Sequence, residues 1–195
     1  GYSDNFRAPT FNDLYWNPGG NPDLKPERSK SFDAGLSFFN DKIIQFNFDI
    51  NYFYIFTKNR IFWMPYIGSV WKPKNIKDAE SKGMEANVEA FIWKKTVKLY
   101  SNYSYTEAVN VTKDDINEGK LLPFVPKHNL RAGFDANYSN ISLGLQFRFI
   151  SSTYSEESNE RLSKIDYYHL ADIFVQYKTK IKGVETAFKI ESNNI

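Results

Sequence analysis

The chain has 195 residues, and its 25 Lys and Arg nearly balance its 23 Asp and Glu, which leaves a net charge of only +2. This balance argues against a nucleic-acid partner, and the absence of cysteine excludes disulfides and thiolate metal sites. Mean hydropathy is negative and no apolar run approaches the roughly 18 residues of a transmembrane helix.

The segment from Pro9 to Pro26 is interrupted repeatedly by proline and glycine. Proline cannot donate to a strand ladder, and glycine favours turns, so this segment is predicted to form a shaped loop before the first long strand. The residues that enforce the loop are Pro9, Pro18, Gly19, Gly20, Pro22 and Pro26.

Strict alternation of apolar and polar residues then predicts eight strands. In the clearest one, the even positions from Ile44 to Phe56 are apolar or aromatic, whereas Gln45, Asn47 and Asp49 are polar. Successive strand residues point to opposite faces, so each such strand has one apolar and one polar face. The predicted strands span residues 31–39, 43–56, 83–93, 96–106, 130–138, 141–150, 168–177 and 184–191.

Charged residues fall on the polar face of these strands without exception. They are Asp49, Glu85, Glu89, Arg131, Asp135, Arg148 and Lys189. An Arg or Lys on the lipid face near the bilayer midplane costs roughly 2–4 kcal/mol, so this placement is typical of an outer-membrane barrel. We therefore predict an all-β fold, an antiparallel up-and-down transmembrane β-barrel of which the chain forms about 8–9 strands of a larger whole.

The connections between the predicted strands alternate in length. Short polar turns are predicted at residues 40–41, 94–95, 139–140 and 178–180. Long connections are predicted at 61–81, 107–129 and 151–166. Short turns on one rim and long loops on the other are the habit of outer-membrane barrels, whose long loops are extracellular.

Four segments resemble the barrel of TonB-dependent outer-membrane receptors. They are Phe6-Arg7-Ala8-Pro9-Thr10-Phe11-Asn12-Asp13-Leu14-Tyr15, Gly20-Asn21-Pro22-Asp23-Leu24-Lys25-Pro26-Glu27-Arg28-Ser29, Lys82-Gly83-Met84-Glu85-Ala86 and Leu122-Pro123-Phe124-Val125-Pro126-Lys127-His128-Asn129-Leu130. The resemblance covers essentially the whole chain in the family's order and is nearest to the corrinoid and siderophore receptors.

The resemblance implies that residues 1–195 are a C-terminal portion of a receptor barrel, without its plug domain and last strand. It further implies a place in the outer membrane of a Gram-negative-type bacterium, in contact with lipid. The whole receptor would import a scarce nutrient, such as a corrinoid or siderophore-bound iron, with energy from the TonB complex. It would be no enzyme.

Aromatic residues are concentrated in the predicted connection around residues 61–74. Exposed aromatic rings in a loop can hold a planar or hydrophobic ligand, so Trp63, Tyr66 and Trp71 are candidate ligand-binding residues. Tyr15 and Trp16 of the first segment complete the candidate set. A self-packed loop or contact with the lipid surface would explain the same composition.

No catalytic constellation, resident cofactor or metal site is predicted, because the two histidines lack neighbouring ligands at suitable spacing. Two other functions fit the alternation. A self-contained eight-stranded outer-membrane barrel could have a structural or adhesive role, since eight strands can close around their own side chains. A soluble lipocalin-like ligand carrier is the second alternative.

Overall fold

A computed structural model describes residues 1–41, 44–93 and 95–194 and shows an almost entirely β-stranded chain. The strands are β1 (Tyr2–Arg7), β2 (Glu27–Asn40), β3 (Gln45–Pro65), β4 (Trp71–Ile92), β5 (Val97–Asn110), β6 (His128–Tyr138), β7 (Ile141–Ile150), β8 (Thr153–Tyr154), β9 (Lys164–Ile165), β10 (Tyr168–Ile181) and β11 (Val184–Ser192). One short helix, α1 (Phe11–Tyr15), and a 3-10 turn (Arg161–Ser163) lie in connections.

Nine strands form one antiparallel meander in the order β1-β2-β3-β4-β5-β6-β7-β10-β11. The remaining two, β8 and β9, make a separate small hairpin inside the β7–β10 connection. This is the predicted up-and-down, partial-barrel architecture. Across the described residues β1 and β11 do not pair with each other, so neither a closed eight-stranded barrel nor a lipocalin is formed.

The register preserves the alternation predicted from sequence across the sheet. Leu36, Ile50, Ala86, Tyr103 and Leu130 stand opposite one another on adjacent strands and therefore share the outer face. The next row belongs to the inner face and is polar: Ser37, Asp49, Asn87, Asn102, Arg131 and Arg148. In this part of strands β2 to β7, one face is thus apolar and the other polar.

The short-turn rim agrees with the prediction at one place and differs at another. Residues 139–140 form the two-residue turn between β6 and β7 as predicted. The turn predicted at 178–180 is wrong, because these residues continue β10 and the chain reverses at Lys182 and Gly183, both with positive φ. Two residues with positive φ suit a tight hairpin turn, and Gly183 is the residue from which the sequence could have predicted this turn. The predicted strand start at Ile43 and the turn residue Lys94 lie outside the described residues.

The largest difference from the prediction concerns residues 61–81, which were expected to form a long loop. They continue the β3–β4 hairpin in unbroken register up to Pro65 opposite Trp71, which leaves only residues 66–70 as the loop. The alternation stops there because both faces of this extension are covered by other segments, as described below. We call the assembly of this extension with the covering segments the cap.

Buried side chains are concentrated in the cap and at the adjoining ends of β4 and β5, and not in the middle of the sheet. Ala79, Ala108 and Leu122 form a buried cluster, with Phe62 and Val125 packed against it. By contrast, large apolar residues of the outer face such as Leu36 and Ile190 are exposed. Among the described residues, no helix is both long and apolar enough to cross a membrane.

Candidate functional sites: the cap and the inner face

One side of the cap is held together by the carboxylate of Asp13. Thr10 and Asp13 form a capping box that starts α1, in which the Thr10 backbone N–H and hydroxyl each donate to Asp13 Oδ2 at 2.8 Å. The other oxygen, Oδ1, accepts the indole N–H of Trp63 at 2.9 Å. The Asp13 side chain is only 7% exposed. This single group therefore fastens the first segment to the β3–β4 extension.

Three further contacts continue the attachment along the hairpin. Asn21 Nδ2 donates to the Pro73 carbonyl at 3.1 Å. Lys25 and Asn75 exchange two hydrogen bonds, from the Lys25 N–H at 2.8 Å and to the Lys25 carbonyl at 3.0 Å. At Gly19 the two chains approach so closely that a Cβ would lie 2.0 Å from the Trp71 carbonyl oxygen.

Charges around Asp13 form a mixed group of two acids and two arginines. Arg7 lies 3.7 Å from Asp13 and 3.2 Å from Glu27, whose other oxygen accepts the Ile61 N–H at 2.5 Å. Burial raises the pKa of Asp13, but the hydrogen bonds from Thr10 and Trp63 and the charge of Arg7 outweigh it, so this pKa lies below its usual value. The pKa of Arg60 lies below its usual value, because burial lowers it more than the negative charge of Glu27 raises it.

The other side of the cap is covered by the β5–β6 and β7–β10 connections. Phe124 stacks on Phe62 with ring centres 6.5 Å apart and tilts against Trp71 at 6.1 Å. Asn159 joins the two connections, because its Nδ2 donates to the Leu121 carbonyl at 3.0 Å and its Oδ1 accepts the Leu121 N–H at 2.7 Å. The extension is therefore clamped from both sides.

The five predicted ligand-binding residues all lie in or beside the cap, but they are not equivalent. Four rings are open to solvent, with exposed fractions of 63% for Tyr66, 58% for Tyr15, 56% for Trp16 and 45% for Trp71. Trp63 is half-buried and its N–H is engaged by Asp13. Lys72 adds a positive charge, with Nζ 5.4 Å from the centre of the Tyr66 ring.

Sequence reasoning did not single out Asp13, which the structure makes the central residue of the cap. The sequence does contain one pattern that points to Asp13: an acid three residues after Thr10, which is the spacing of a helix capping box. Its second role, the contact with Trp63, joins residues 50 positions apart. No local pattern encodes such a contact.

The inner face is a continuous polar surface. Glu89 pairs with Lys98, and Asn102 donates to Asn87 at 2.6 Å. Further along, Arg131 donates two hydrogen bonds to Gln146 Oε1, at 3.0 and 2.6 Å, and Arg148 lies 3.3 Å from Asp172. Such a surface suits water or a polar protein segment. Across the described residues, no group of three or more His, Asp or Glu is placed to hold a metal ion.

The outer face completes the description of the sheet. Outward-facing residues without formal charge form a belt across the described parts of the eight long strands. In β2 the belt runs from Phe32 to Asn40. The belt continues through residues 46–56, 84–92, 97–105, 128–138, 141–149, 169–181 and 184–192. An uncharged outer belt around a polar inner face defines a segment of a transmembrane β-barrel wall.

Comparison with known proteins gives the family of this barrel. A family model described as "TonB dependent receptor-like, beta-barrel" matches residues 1–194, so the chain belongs to the TonB-dependent receptor family. Its members are receptors and transporters and not enzymes. The predicted family and fold class are therefore confirmed.

Individual relatives agree with this assignment. The chain is 30% identical over 178 residues to the vitamin B12 transporter BtuB of Photobacterium profundum, covering 88% of this chain and 27% of the relative. It is 25% identical over 183 residues to an uncharacterized TonB-dependent receptor of Haemophilus influenzae, covering 90% and 52%. The chain thus spans about a quarter of the B12 transporter's length.

Solved structures show the same fold at lower identity. The copper transporter OprC superposes with a TM-score of 0.71 at 18% identity, covering 97% of this chain and 30% of that one. BauA, the ferric preacinetobactin receptor of Acinetobacter baumannii, gives a TM-score of 0.68 at 20% identity, covering 99% and 29%.

Proposed function

We propose that the chain is part of the barrel wall of an outer-membrane receptor that imports a scarce small-molecule nutrient, such as a corrinoid or an iron–siderophore complex, with energy from TonB. The protein would lie in the outer membrane of a Gram-negative bacterium. The observation that carries the proposal is the combination of an uncharged outer belt with a polar inner face, in a family whose relatives include vitamin B12 and siderophore receptors.

The polar inner face supports an internal partner for this wall. Arg131 and Arg148 stand directly opposite each other, and unlike charges or amides of neighbouring residues only partly balance them. A plug domain from another part of the same polypeptide would fill this side of the barrel. Under this proposal residues 1–195 form a C-terminal part of the barrel, and the plug and the last strand come from outside it.

The cap is the proposed ligand-binding surface. Tyr66, Trp71, Tyr15 and Trp16 present exposed rings around a rigid scaffold, an arrangement suited to a planar or partly apolar ligand. Trp63 would act mainly through its bond to Asp13, which keeps the scaffold in place. The cap would thereby select the nutrient, and the wall would provide the passage.

Uptake by the full-length receptor tests this function. Cells that express it should accumulate radiolabelled cobalamin or one of a panel of ferric siderophores, and deletion of the TonB gene should abolish accumulation. Retained uptake without TonB would refute the coupling. Failure to accumulate any compound of the panel would refute import of these two nutrient classes.

Alanine substitutions at Tyr66, Trp71, Tyr15 and Trp16 test the binding surface. Because buried aromatic anchors are commonly worth about 2 kcal/mol or more, at least one substitution should raise the Kd roughly 30-fold. Tyr138→Ala is the control, since this tyrosine is even more exposed than the four test residues but lies at the short-turn rim. Unchanged binding in all four variants would remove the cap from ligand recognition.

Trp63 needs a different substitution. Trp63→Phe removes the N–H that Asp13 accepts and keeps an aromatic ring. If the ring itself contacts ligand, Trp63→Phe should bind nearly as well as the wild type, whereas Trp63→Ala should not. Equal losses in both variants would assign Trp63 to the scaffold alone.

A further inference from the structure

An open cleft lies at the tip of the β3–β4 extension, beside the first segment, and has a volume of about 420 Å³. Its lining residues are Asn21, Met64, Pro65, Tyr66, Lys72, Pro73 and Lys74. Most of this lining is apolar, because a methionine side chain, two proline rings and a tyrosine ring contribute to it. Ligand clefts commonly have volumes of about 300–1,000 Å³ and combine apolar walls with a few polar groups. The cleft is therefore large enough for one arm of a ligand.

The two charged groups that line this cleft are both cations. Lys72 and Lys74 lie two residues apart on β4 and therefore point to the same side of the strand. Lys74 lies 3.7 Å from Glu157 of the β7–β10 connection, so its charge is partly balanced. Within the described residues no carboxylate lies within ion-pair distance of Lys72, whose close contact is the Tyr66 ring, 5.4 Å from Nζ. Lys72 thus lacks a counter-charge in this part of the chain.

The two stretches that form the cleft are positive as a whole. Residues 19–26 contain Asp23 and Lys25, and residues 59–75 contain three cations and no acid. Asp23 is exposed and forms no ion pair with Lys72 or Lys74 among the residues that the structure describes. One acid therefore stands against four cations, and a surface of one predominant sign attracts ligands of the opposite sign.

The inner face differs in this respect. A cavity of about 580 Å³ there is lined by the acids Asp49, Glu89 and Asp135 and by the cations Lys98 and Arg131. Its acids outnumber its cations, so this part of the wall has no preference for an anion. A preference for negative charge is therefore specific to the cleft of the cap.

The chemistry of the cleft points to the charge of the nutrient. An aryl group can pack against the Tyr66 ring, and a negative charge on it can pair with Lys72. Asn21 donates one amide N–H to the Pro73 carbonyl and has a second for the same group. Resting on the proposed function, we propose that this cleft binds a negatively charged aryl group of the nutrient, such as a catecholate or an aryl carboxylate. The nutrient is then an anionic iron chelate and not a corrinoid without net charge.

Ligand binding by the purified full-length receptor, followed by calorimetric titration, tests the inference with four probes. A ferric tris-catecholate is anionic and aromatic, and ferric citrate is anionic without an aryl group. A ferric tris-hydroxamate and cyanocobalamin have no net charge. The test variants are Lys72→Gln, which removes the cation, and Lys72→Arg, which keeps it. Lys113→Gln is the matched control, because it removes the charge of an exposed lysine in the β5–β6 connection.

The ferric tris-catecholate should bind the wild type most tightly, and added salt should weaken its binding but not that of cyanocobalamin. Because the lost contact is a charge-assisted hydrogen bond, Lys72→Gln should raise the Kd of this probe about tenfold or more. Lys72→Arg and Lys113→Gln should stay within about twofold of the wild type, since the first keeps the charge and the second lies outside the cleft.

Three results would overturn the inference: tighter binding of a neutral probe, no binding of either anionic probe, or an unchanged Kd in Lys72→Gln. Equal affinity for ferric citrate and the tris-catecholate would refute the aryl group. Retained heat-modifiable gel mobility shows that each variant is folded. TonB-dependent uptake of cyanocobalamin would leave the proposed function intact and refute the anionic nutrient, so the two can fail separately.

Discussion

Asp13→Asn should release the first segment from the β3–β4 extension. The carboxylate accepts two hydrogen bonds from Thr10 and one from Trp63, and Arg7 adds a weaker attraction. Asparagine retains one acceptor oxygen and turns an N–H₂ group towards the remaining donors. The substitution therefore removes the charge from every one of these contacts and leaves at least one buried donor unpaired.

The size of the effect follows from the charged acceptor. A hydrogen bond to a charged group contributes about 1.5–3 kcal/mol, so the loss of one or two such bonds should weaken the cap by about 3 kcal/mol. Because 1.4 kcal/mol is a factor of ten, amide hydrogen exchange in residues 10–16 of the full-length receptor should accelerate roughly 100-fold. Strands of the belt should keep their protection.

Asp23→Asn is the matched control for this experiment. Asp23 lies ten residues further along the chain and is exposed, and its backbone N–H donates to Asn21 Oδ1 while its carboxylate makes no hydrogen bond within the described residues. Its substitution should leave exchange in residues 10–16 unchanged. Equal protection of this segment in Asp13→Asn and the wild type would refute the role that we assign to Asp13.

The same contacts give the attachment a defined pH dependence. Because the pKa of Asp13 is lowered in the folded state, its contribution is complete above the usual carboxyl pKa of about 3.9 and is lost as the pH falls through the lower folded value. The difference in exchange between the wild type and Asp13→Asn should be constant from pH 5 to 8 and shrink only below about pH 4. A difference that disappears near pH 6 would assign the effect to another group.

Two further substitutions test the packing and the faces of the sheet. Gly19→Ala places a methyl group against the Trp71 carbonyl and should expose the first segment to protease. Gly68→Ala is the control, because its added Cβ meets open space and should cause only modest backbone strain. Equal protease resistance of both variants would contradict the close approach at Gly19. Leu145→Lys puts a charge on the outer belt and should lower the free energy of unfolding by about 2–4 kcal/mol, measured by urea titration in lipid. Ser142→Lys, on the inner face, should have little effect. Similar losses of stability in both variants would contradict the assignment of faces.

The belt could be predicted from the sequence because its physical cause is local. Each long strand separates lipid from a polar interior, so apolar and polar residues must alternate along it. Residues 45–56 show this alternation. The cap follows no such rule. Its contacts join Asp13 to Trp63, Asn21 to Pro73 and Lys25 to Asn75, all about 50 residues apart, and both sides of the hairpin are covered there. The alternating pattern therefore ends before strands β3 and β4 do, and the sequence did not predict their extension into the cap.

The segments that carry the family resemblance are those that assemble the cap and seat the strands. Asp13 belongs to the first segment, Asn21 and Lys25 to the second, and Leu122 to the fourth. In the third, Gly83 leaves room for the Phe53 ring, because a Cβ there would lie 2.7 Å from it.

The proposed ligand-facing rings do not share this scaffold role to the same degree. Tyr66 and Trp16 lie outside the four segments, and their rings are exposed. A scaffold of this kind can hold different exposed side chains without losing its own contacts, because those contacts are made by other residues. Under the proposed function, the nutrient would therefore be selected by the few side chains that the scaffold leaves uncovered, and the wall and the cap would hold them in place.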